Sequence, residues 1–353
     1  MQVECQGSTV SRSNDRHGRV TISEVARLAQ VSVGTVSNVL NNPATVSPAT
    51  RTRVLEAIEK TGFVRSKAAH QLRVGKSLTV GIVVLDIANP FFAEMVRGAE
   101  RVLRSKGYVL MVCSSDESTE LERQYLRVLE EYRVDGLLIT PAERDLGRLA
   151  VLATRGIPTV LLDRHSEANS LCSATVDDVR GGELAAAHLF GLGHETVAFV
   201  NGPSSIRQCA DRRQGAKKAL RRAQRRGKAT LLEITVSALA VDRGERAVEA
   251  LLAARPRPTA VMCANDLIAL GVLRGLAEMG IAVPEQIAVV GYDDVTFASM
   301  LSPGLTSVRQ PKYELGETAA ELLLEEALGS EHEHRSVRFE PELVVRASSG
   351  GPR

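Results

Sequence analysis

Apolar residues first recur at helical spacing from Ile22, where Ile22, Val25, Ala26 and Ala29 share one face. Thr21 precedes them with Glu24 three positions later, the pattern of a capping box. Ser32 can cap a second helix over 33–40. Ser47, followed by Pro48, can open a third that carries Val54, Leu55 and Ile58 and closes near Gly62. The stretch 64–76 is basic and could form one or two helical turns, too few to persist without a binding partner. Residues 1–18 are polar and aperiodic and are expected to be a disordered tail with no role.

From Ser77 the period changes. LTVGIVVLD reads as a buried strand, 91–106 as a helix closed by Gly107, YVLMVCSS as a strand, 117–132 as a helix and DGLLIT as a strand. The alternation continues through IPTVLLD, ELAAAHLFGLG, TVAFVNG, a basic helix after Cys209, TAVMCAND, ALGVLRGLAEMG and IAVVGYDD. Short β-branched strands alternating with amphipathic helices predict doubly wound parallel sheets. About 270 residues of this exceed one comfortable sheet, so two similar subdomains are expected.

Composition narrows the class. The chain has 353 residues, 44% of them hydrophobic and 24% charged, which fits a globular protein of two or three domains. The net charge of +2 is unevenly spread. Residues 19–76 hold nine Lys/Arg against three acids, a net +6, while 1–18 sum to zero and the remainder carries −4. A basic head on a mildly acidic body points to a polyanion at one end. Five scattered cysteines without a CxxC pair argue against a disulfide framework and a structural zinc site. No apolar signal region opens the chain and no run approaches about 18 apolar residues, so neither secretion nor a membrane span is expected.

The first two predicted helices flank the tight turn Gln30-Val31-Ser32, the layout of a helix-turn-helix. Val25, Ala26, Val31, Val36 and Val39 can pack them together. Val33, Gly34, Thr35, Ser37 and Asn38 then face outward, short groups suited to phosphates and base edges. A plain three-helix cap would show the same periodicity; the local charge favours nucleic acid.

TISEVARLAQVSVGTVSNVLNN and VSPATRTRVLEAIEKTGF resemble the head of the lactose/galactose repressor (LacI/GalR) family of bacterial transcriptional regulators. The body adds NPFF, GLGH, Arg212 with Gly215, AND at 264–266, VGYDD at 290–294 and LTSVRQP at 305–311, so the likeness runs in order over roughly 20–345. The resemblance implies a head at 19–63, a hinge helix at 64–76 and a core at 77–348 resembling periplasmic binding proteins. Its subdomains would be 77–175 with 309–339, and 176–308 with 340–348, before a tail at 349–353. It implies base reading by Val33, Gly34 and Asn38, and phosphate contacts from Thr21, Ser23, Thr35, Ser37, Asn41, Ser47 and Thr50. Several of these hydroxyls could equally be helix caps, Ser47 above all. Leu72 would wedge into the minor groove beside Ala69, unless it merely packs on the core. Arg65 and Ser66 depart from the common Pro and Asn of that hinge, while Arg65, Lys67 and Arg73 favour phosphate.

In such a core a ligand binds beyond the carboxyl ends of the strands. Asp163, Asn265, Asp266, Asp293 and Asp294 follow apolar runs there, and the resemblance implies effector contacts from Asp163, Arg212, Asn265 and Asp293, with Phe91 or Phe92 as an apolar wall. Caps and loop bonds are the plainer roles for the same residues. The glycine pair 181–182 reads as a helix start or turn, the basic run 217–228 as a solvated helix face rather than a second nucleic-acid patch, and His188 and His194 as structural. No zinc spacing, GxSxG or phosphate loop occurs, so no metal, cofactor or catalysis is expected. The combined expectation is a cytoplasmic, nucleoid-associated homodimer: an effector-responsive repressor on a palindromic double-stranded operator, with no membrane partner. A dimer is preferred because ASSGGPR replaces the leucine heptad tail of the family's tetramers. A sugar is the expected small-molecule effector, a purine or nucleoside the alternative; a sugar-binding transport protein is the reading from another class.

Overall fold

The computed structural model describes residues 20–63, 77–166, 170–329 and 332–350. The expected tail at 1–18 and the hinge at 64–76, with Ala69 and Leu72, lie outside the described residues. The chain divides into two units, Met1–Ser77 and Leu78–Arg353.

Among its described residues the first unit holds three α-helices, α1 (Ile22–Leu28), α2 (Val33–Asn41) and α3 (Pro48–Thr61). Each begins on a residue the sequence singles out. Thr21 and Glu24 close a reciprocal capping box, Ser32 accepts from the Thr35 amide, and Ser47 accepts from the Thr50 amide ahead of Pro48. Gly62 ends α3 at φ +65°, a left-handed conformation that costs glycine little. Val25, Ala26, Val36, Val39, Val54 and Ala57 are buried together, with Val31 packed against them.

The second unit contains two six-stranded sheets. The first orders its strands β11-β5-β4-β3-β1-β2 and the second β12-β10-β9-β8-β6-β7. In chain order the strands are β1 (Thr79–Val84), β2 (Val109–Ser114), β3 (Gly136–Ile139), β4 (Thr159–Leu162), β5 (Cys172–Val176), β6 (Thr196–Asn201), β7 (Thr230–Thr235), β8 (Ala260–Cys263), β9 (Ala288–Asp293), β10 (Thr306–Arg309), β11 (Ser336–Phe339) and β12 (Glu342–Val344). All pairings are parallel except β10 with β12. Strands β1, β3, β4, β8 and β9 are buried along their whole length, as parallel strands covered on both faces must be.

Helices α4 (Pro90–Ser105), α5 (Thr119–Glu131), α6 (Gly147–Thr154) and α11 (Lys312–Leu328) belong with the first sheet; α7 (Asp178–Gly191), α8 (Arg207–Gln224), α9 (Val241–Ala253) and α10 (Asp266–Glu278) belong with the second. The chain passes between sheets after β5, after β10 and after β11. Among the described residues no helix is long and apolar enough to cross a membrane.

Some local expectations shift. Gly181 and Gly182 are interior to α7 rather than its start, and Cys209 lies inside α8. Ser349, expected in the tail, is buried, with its Oγ 2.7 Å from Thr306 Oγ1 and 2.9 Å from His188 Nε2. His194 Nδ1 lies 2.9 Å from Thr259 Oγ1, so both histidines have structural partners.

Candidate functional site

On the helical head, packing of Val36 and Val39 turns the opposite side of α2 outward. Val33 is 43% exposed, and Gly34 and Asn38 are exposed, while Thr35, Ser37 and Asn41 are half-buried. A valine this exposed at the first position of a helix has no packing role, but it can meet a base methyl. Thr21, Ser23 and Ser47 are exposed, with Thr50 half-buried. Thr21 and Ser47 serve as caps, Ser47 Oγ lies 2.9 Å from Thr50 Oγ1, and Asn41 Nδ2 donates to the Ser37 carbonyl at 2.6 Å. These local bonds hold the hydroxyls and amides at fixed positions without burying them.

In the larger unit, three of the expected residues, Asp163, Arg212 and Asp293, converge between the two sheets. Arg212 is buried on α8. Its Nε donates to Asp178 Oδ1 at 2.8 Å, its Nη1 donates to the Ala264 carbonyl at 2.6 Å, and Asp293 Oδ1 lies 3.9 Å from Nη2. The guanidinium also stacks 3.7 Å from the centre of the Tyr292 ring. Burial opposes its charge, but Asp178, Asp293 and Asp163 around it outweigh that and hold it firmly protonated.

Burial pushes the Asp293 carboxyl up to about 6, although Arg212 pulls it down. Burial and the neighbouring Asp178 push Asp163 well above the ordinary carboxylate range. Both sit on strained backbone, Asp163 at φ +51° and Asp293 at φ +107°, with Asp294 at φ +48°. Such conformations at strand ends cluster where a site, rather than packing, dictates direction.

Close helix packing makes this arrangement possible. A Cβ on Gly215 would lie 2.0 Å from the Val179 carbonyl oxygen, and one on Gly182 2.1 Å from the Arg212 oxygen. Helices α7 and α8 therefore touch backbone to backbone, which brings Arg212 within reach of Asp178 at the start of α7.

Asn265 takes the plainer role: it caps α10, its Oδ1 accepting from the Ile268 amide at 2.9 Å and its Nδ2 donating to the Leu239 carbonyl at 3.3 Å. Phe91 and Phe92, at the start of α4, are buried edge to face with centroids 5.1 Å apart. They pack in one apolar cluster with Ile206, Cys209 and Val295. They thus join the two subdomains rather than standing open as a wall.

Other residues complete the site. Gln208 Nε2 donates to the Asp163 carbonyl at 2.7 Å and to Asp163 Oδ2 at 3.0 Å, tying α8 to the end of β4 across the cleft. Glu117 Oε1 accepts from the Leu239 amide at 3.2 Å, a second link between the subdomains. Gln310 Nε2 donates to Asp293 Oδ1 at 2.7 Å. A cavity of about 230 Å³ opens beside Asp163, Asp178 and Gln208. Gln208 was detectable one helical turn before Arg212, and Asp178 just beyond the strand run SATV. Gln310 lies in the LTSVRQP stretch of the resemblance without a role assigned to it there, and Glu117 has no signal along the chain.

The comparisons with known proteins agree with this layout. The family described as "Bacterial regulatory proteins, lacI family" matches residues 21–66, and "Periplasmic binding protein-like domain" matches 186–349. The HTH-type transcriptional repressor PurR of Photobacterium profundum is 36% identical over 336 residues, covering 93% of this chain and 98% of its own. A solved lac repressor dimer bound to operator and the anti-inducer ONPF aligns with a TM-score of 0.78 and 29% identity, covering 94% and 99% of the two chains. A LacI family transcriptional regulator of Enterococcus faecium with bound ribose aligns with a TM-score of 0.70 and 32% identity, covering 78% and 100%.

Proposed function

The chain belongs to the lactose/galactose repressor (LacI/GalR) family of bacterial regulatory proteins, and from that premise we propose that it is a cytoplasmic homodimer on a palindromic operator, released or retained by a sugar bound between its two sheets. It is a DNA-binding transcriptional repressor with an effector-binding body, not an enzyme.

The observation that carries the sugar reading is an excess of acceptors. Asp163 Oδ1 and Gln310 Oε1 are buried without a hydrogen-bond partner, and Asp293 lies against both Gln310 and Arg212. Unmet buried acceptors are costly, and a polyhydroxylated ligand brings several donors to answer them. The ribose-bound relative is consistent with that chemistry. A purine or nucleoside is the second reading, favoured by the relative named PurR.

In the head, Val33, Gly34 and Asn38 read bases, while Thr21, Ser23, Thr35, Ser37, Asn41, Ser47 and Thr50 approach phosphates. Ala69 and Leu72 act in the minor groove. A ligand that bridges Asp163 on one subdomain to Arg212 and Asp293 on the other favours the closed cleft. Any resulting change in operator affinity must be matched by an equal change in ligand affinity.

The experiment is a thermal-shift screen of the full chain against sugars, sugar phosphates, nucleosides and purines, followed by operator binding with each hit. A sugar that raises the unfolding temperature and changes operator affinity supports the proposal. Hits confined to purines or nucleosides replace the effector. Ligands that bind without touching operator affinity overturn the coupling.

A further inference from the structure

The edge of the first sheet opposite the effector cleft carries a cluster that the regulatory reading leaves unused. Cys172 opens β5, Glu326 lies in the last turn of α11, and His332 and His334 lie in the stretch that leads into β11. One donor atom from each of the four lies within 4.8 Å of the others. Cys172 Sγ is 3.0 Å from His332 Nε2, and Glu326 Oε2 is 4.0 Å from His332 Nε2 and 3.9 Å from His334 Nδ1. Strand β5 pairs in parallel with β11, Ser173 opposite Ser336. The cluster therefore sits where both strands begin, whereas Asp163 and Asp293 sit where strands end.

Two of the donors are unsatisfied. Glu326 Oε2 and His334 Nδ1 are both buried with no hydrogen-bond partner. Protein interiors rarely leave such atoms unmet, and two of them facing one another in a group of four metal-ligating side chains ask for a cation. The donor set is specific. One thiol, two imidazoles and one carboxylate is a combination that suits zinc, which takes sulfur and nitrogen ligands in tetrahedral order. Zinc–ligand bonds of about 2.0–2.3 Å place neighbouring donors roughly 3.2–3.8 Å apart. The contacts of 3.0, 3.9 and 4.0 Å bracket that range, and with all four donors within 4.8 Å of one another, shifts of up to about 1 Å would close the shell.

Charge agrees as well. A thiolate and a carboxylate with two neutral imidazoles carry −2, which a divalent ion cancels. The Arg335 amide already donates to Cys172 Sγ at 3.4 Å, the kind of outer bond that steadies a metal-bound thiolate.

We infer that Cys172, Glu326, His332 and His334 form a closed tetrahedral zinc site that pins residues 332–334, just ahead of the edge strand β11, to the start of its neighbour β5. Four protein ligands leave no open position, so the role is structural rather than catalytic. The pinned segment feeds β11, after which the chain crosses to β12 in the other sheet. Zinc thereby makes the rigidity of one crossover between the subdomains depend on metal supply.

The test uses the full chain. Protein saturated with zinc and then desalted should retain one zinc per chain by elemental mass spectrometry. The metal-free chain loaded with cobalt(II) should show a thiolate-to-cobalt charge-transfer band with the intense visible bands of a tetrahedral site. Cys172→Ser should abolish the charge-transfer band. His334→Gln changes a side chain that is 31% exposed, so the fold should tolerate it; this variant should retain no zinc and lose the rise in unfolding temperature that zinc gives the wild-type chain. No zinc retained by the wild-type chain overturns the site, as does a cobalt spectrum unchanged by both substitutions.

Discussion

Replacing Asp293 by Asn should make the ligand-free protein more stable while spoiling its effector site. The carboxyl is buried, and its folded pKa is raised from 3.8 to about 6, with burial the largest cause. In the unfolded chain it ionises near 3.8; in the folded chain it keeps its proton until about pH 6. A folded pKa above the unfolded one means that the folded state binds more protons. Its contribution to stability is therefore fully present below pH 3.8 and is lost as pH rises through 6. Two units at about 1.4 kcal/mol each make the cost about 3 kcal/mol at pH 8 and roughly half that at pH 5. Asparagine keeps an Oδ1 that can accept from Gln310 at 2.7 Å, yet never ionises. Urea unfolding followed by far-ultraviolet circular dichroism, at fixed protein concentration and at pH 5 and 8, should show Asp293→Asn more stable by about those amounts. A variant no more stable than wild type at pH 8, or a gain that does not shrink towards pH 5, refutes the reasoning. The same variant should bind effector more weakly, since a charged acceptor has become a neutral amide.

Other perturbations follow from the same geometry. Gly215→Ala drives a Cβ to within 2.0 Å of a backbone carbonyl on α7, so it should cost about 1–3 kcal/mol and lower the unfolding temperature. Gln208→Ala strips Asp163 of both bonds that cross the cleft at its carbonyl and carboxylate; a loss of about 1–3 kcal/mol is expected in urea unfolding. Ser47→Ala removes the α3 cap and should cost about 1 kcal/mol in the same measurement. Asn38→Ala should weaken operator binding by about 1–3 kcal/mol and relax the preference at one base position, leaving the salt dependence nearly unchanged in a fluorescence-anisotropy titration.

The elements legible along the chain are those whose physics is local. The three head helices carry their own caps at Thr21, Ser32 and Ser47, and α/β alternation marks most of the body because fully buried strands read as unbroken apolar runs. Strand β7, at a sheet edge, and the short β5, β10, β11 and β12 do not stand out along the chain, because they are partly exposed or only three to five residues long. Arg212, Asp163 and Asp293 were visible at strand ends and in a helix motif, but other parts of the cleft come from elsewhere: Gln310, which bonds Asp293, from the crossover after β10, and Glu117, which bonds the Leu239 amide, from the loop after β2. Asn265 shows the limit of residue type as a guide, since the same amide that suits a ligand also suits a helix N-terminus, and the cap prevails. The cysteine–histidine cluster eludes any spacing rule because Cys172 and His332 are 160 positions apart and meet only once β5 and β11 pair.

Effector binding in the carboxylate-lined cleft is proposed to govern the grip of the basic helical head on DNA. The most direct measurement is the dissociation constant for an operator, selected from a random duplex pool by the full chain, with and without a saturating effector. Wild type should change by about 5- to 150-fold, and Asp293→Asn should show little change at the same ligand concentration. An effector that occupies the wild-type cleft while leaving the operator constant untouched would contradict this coupling.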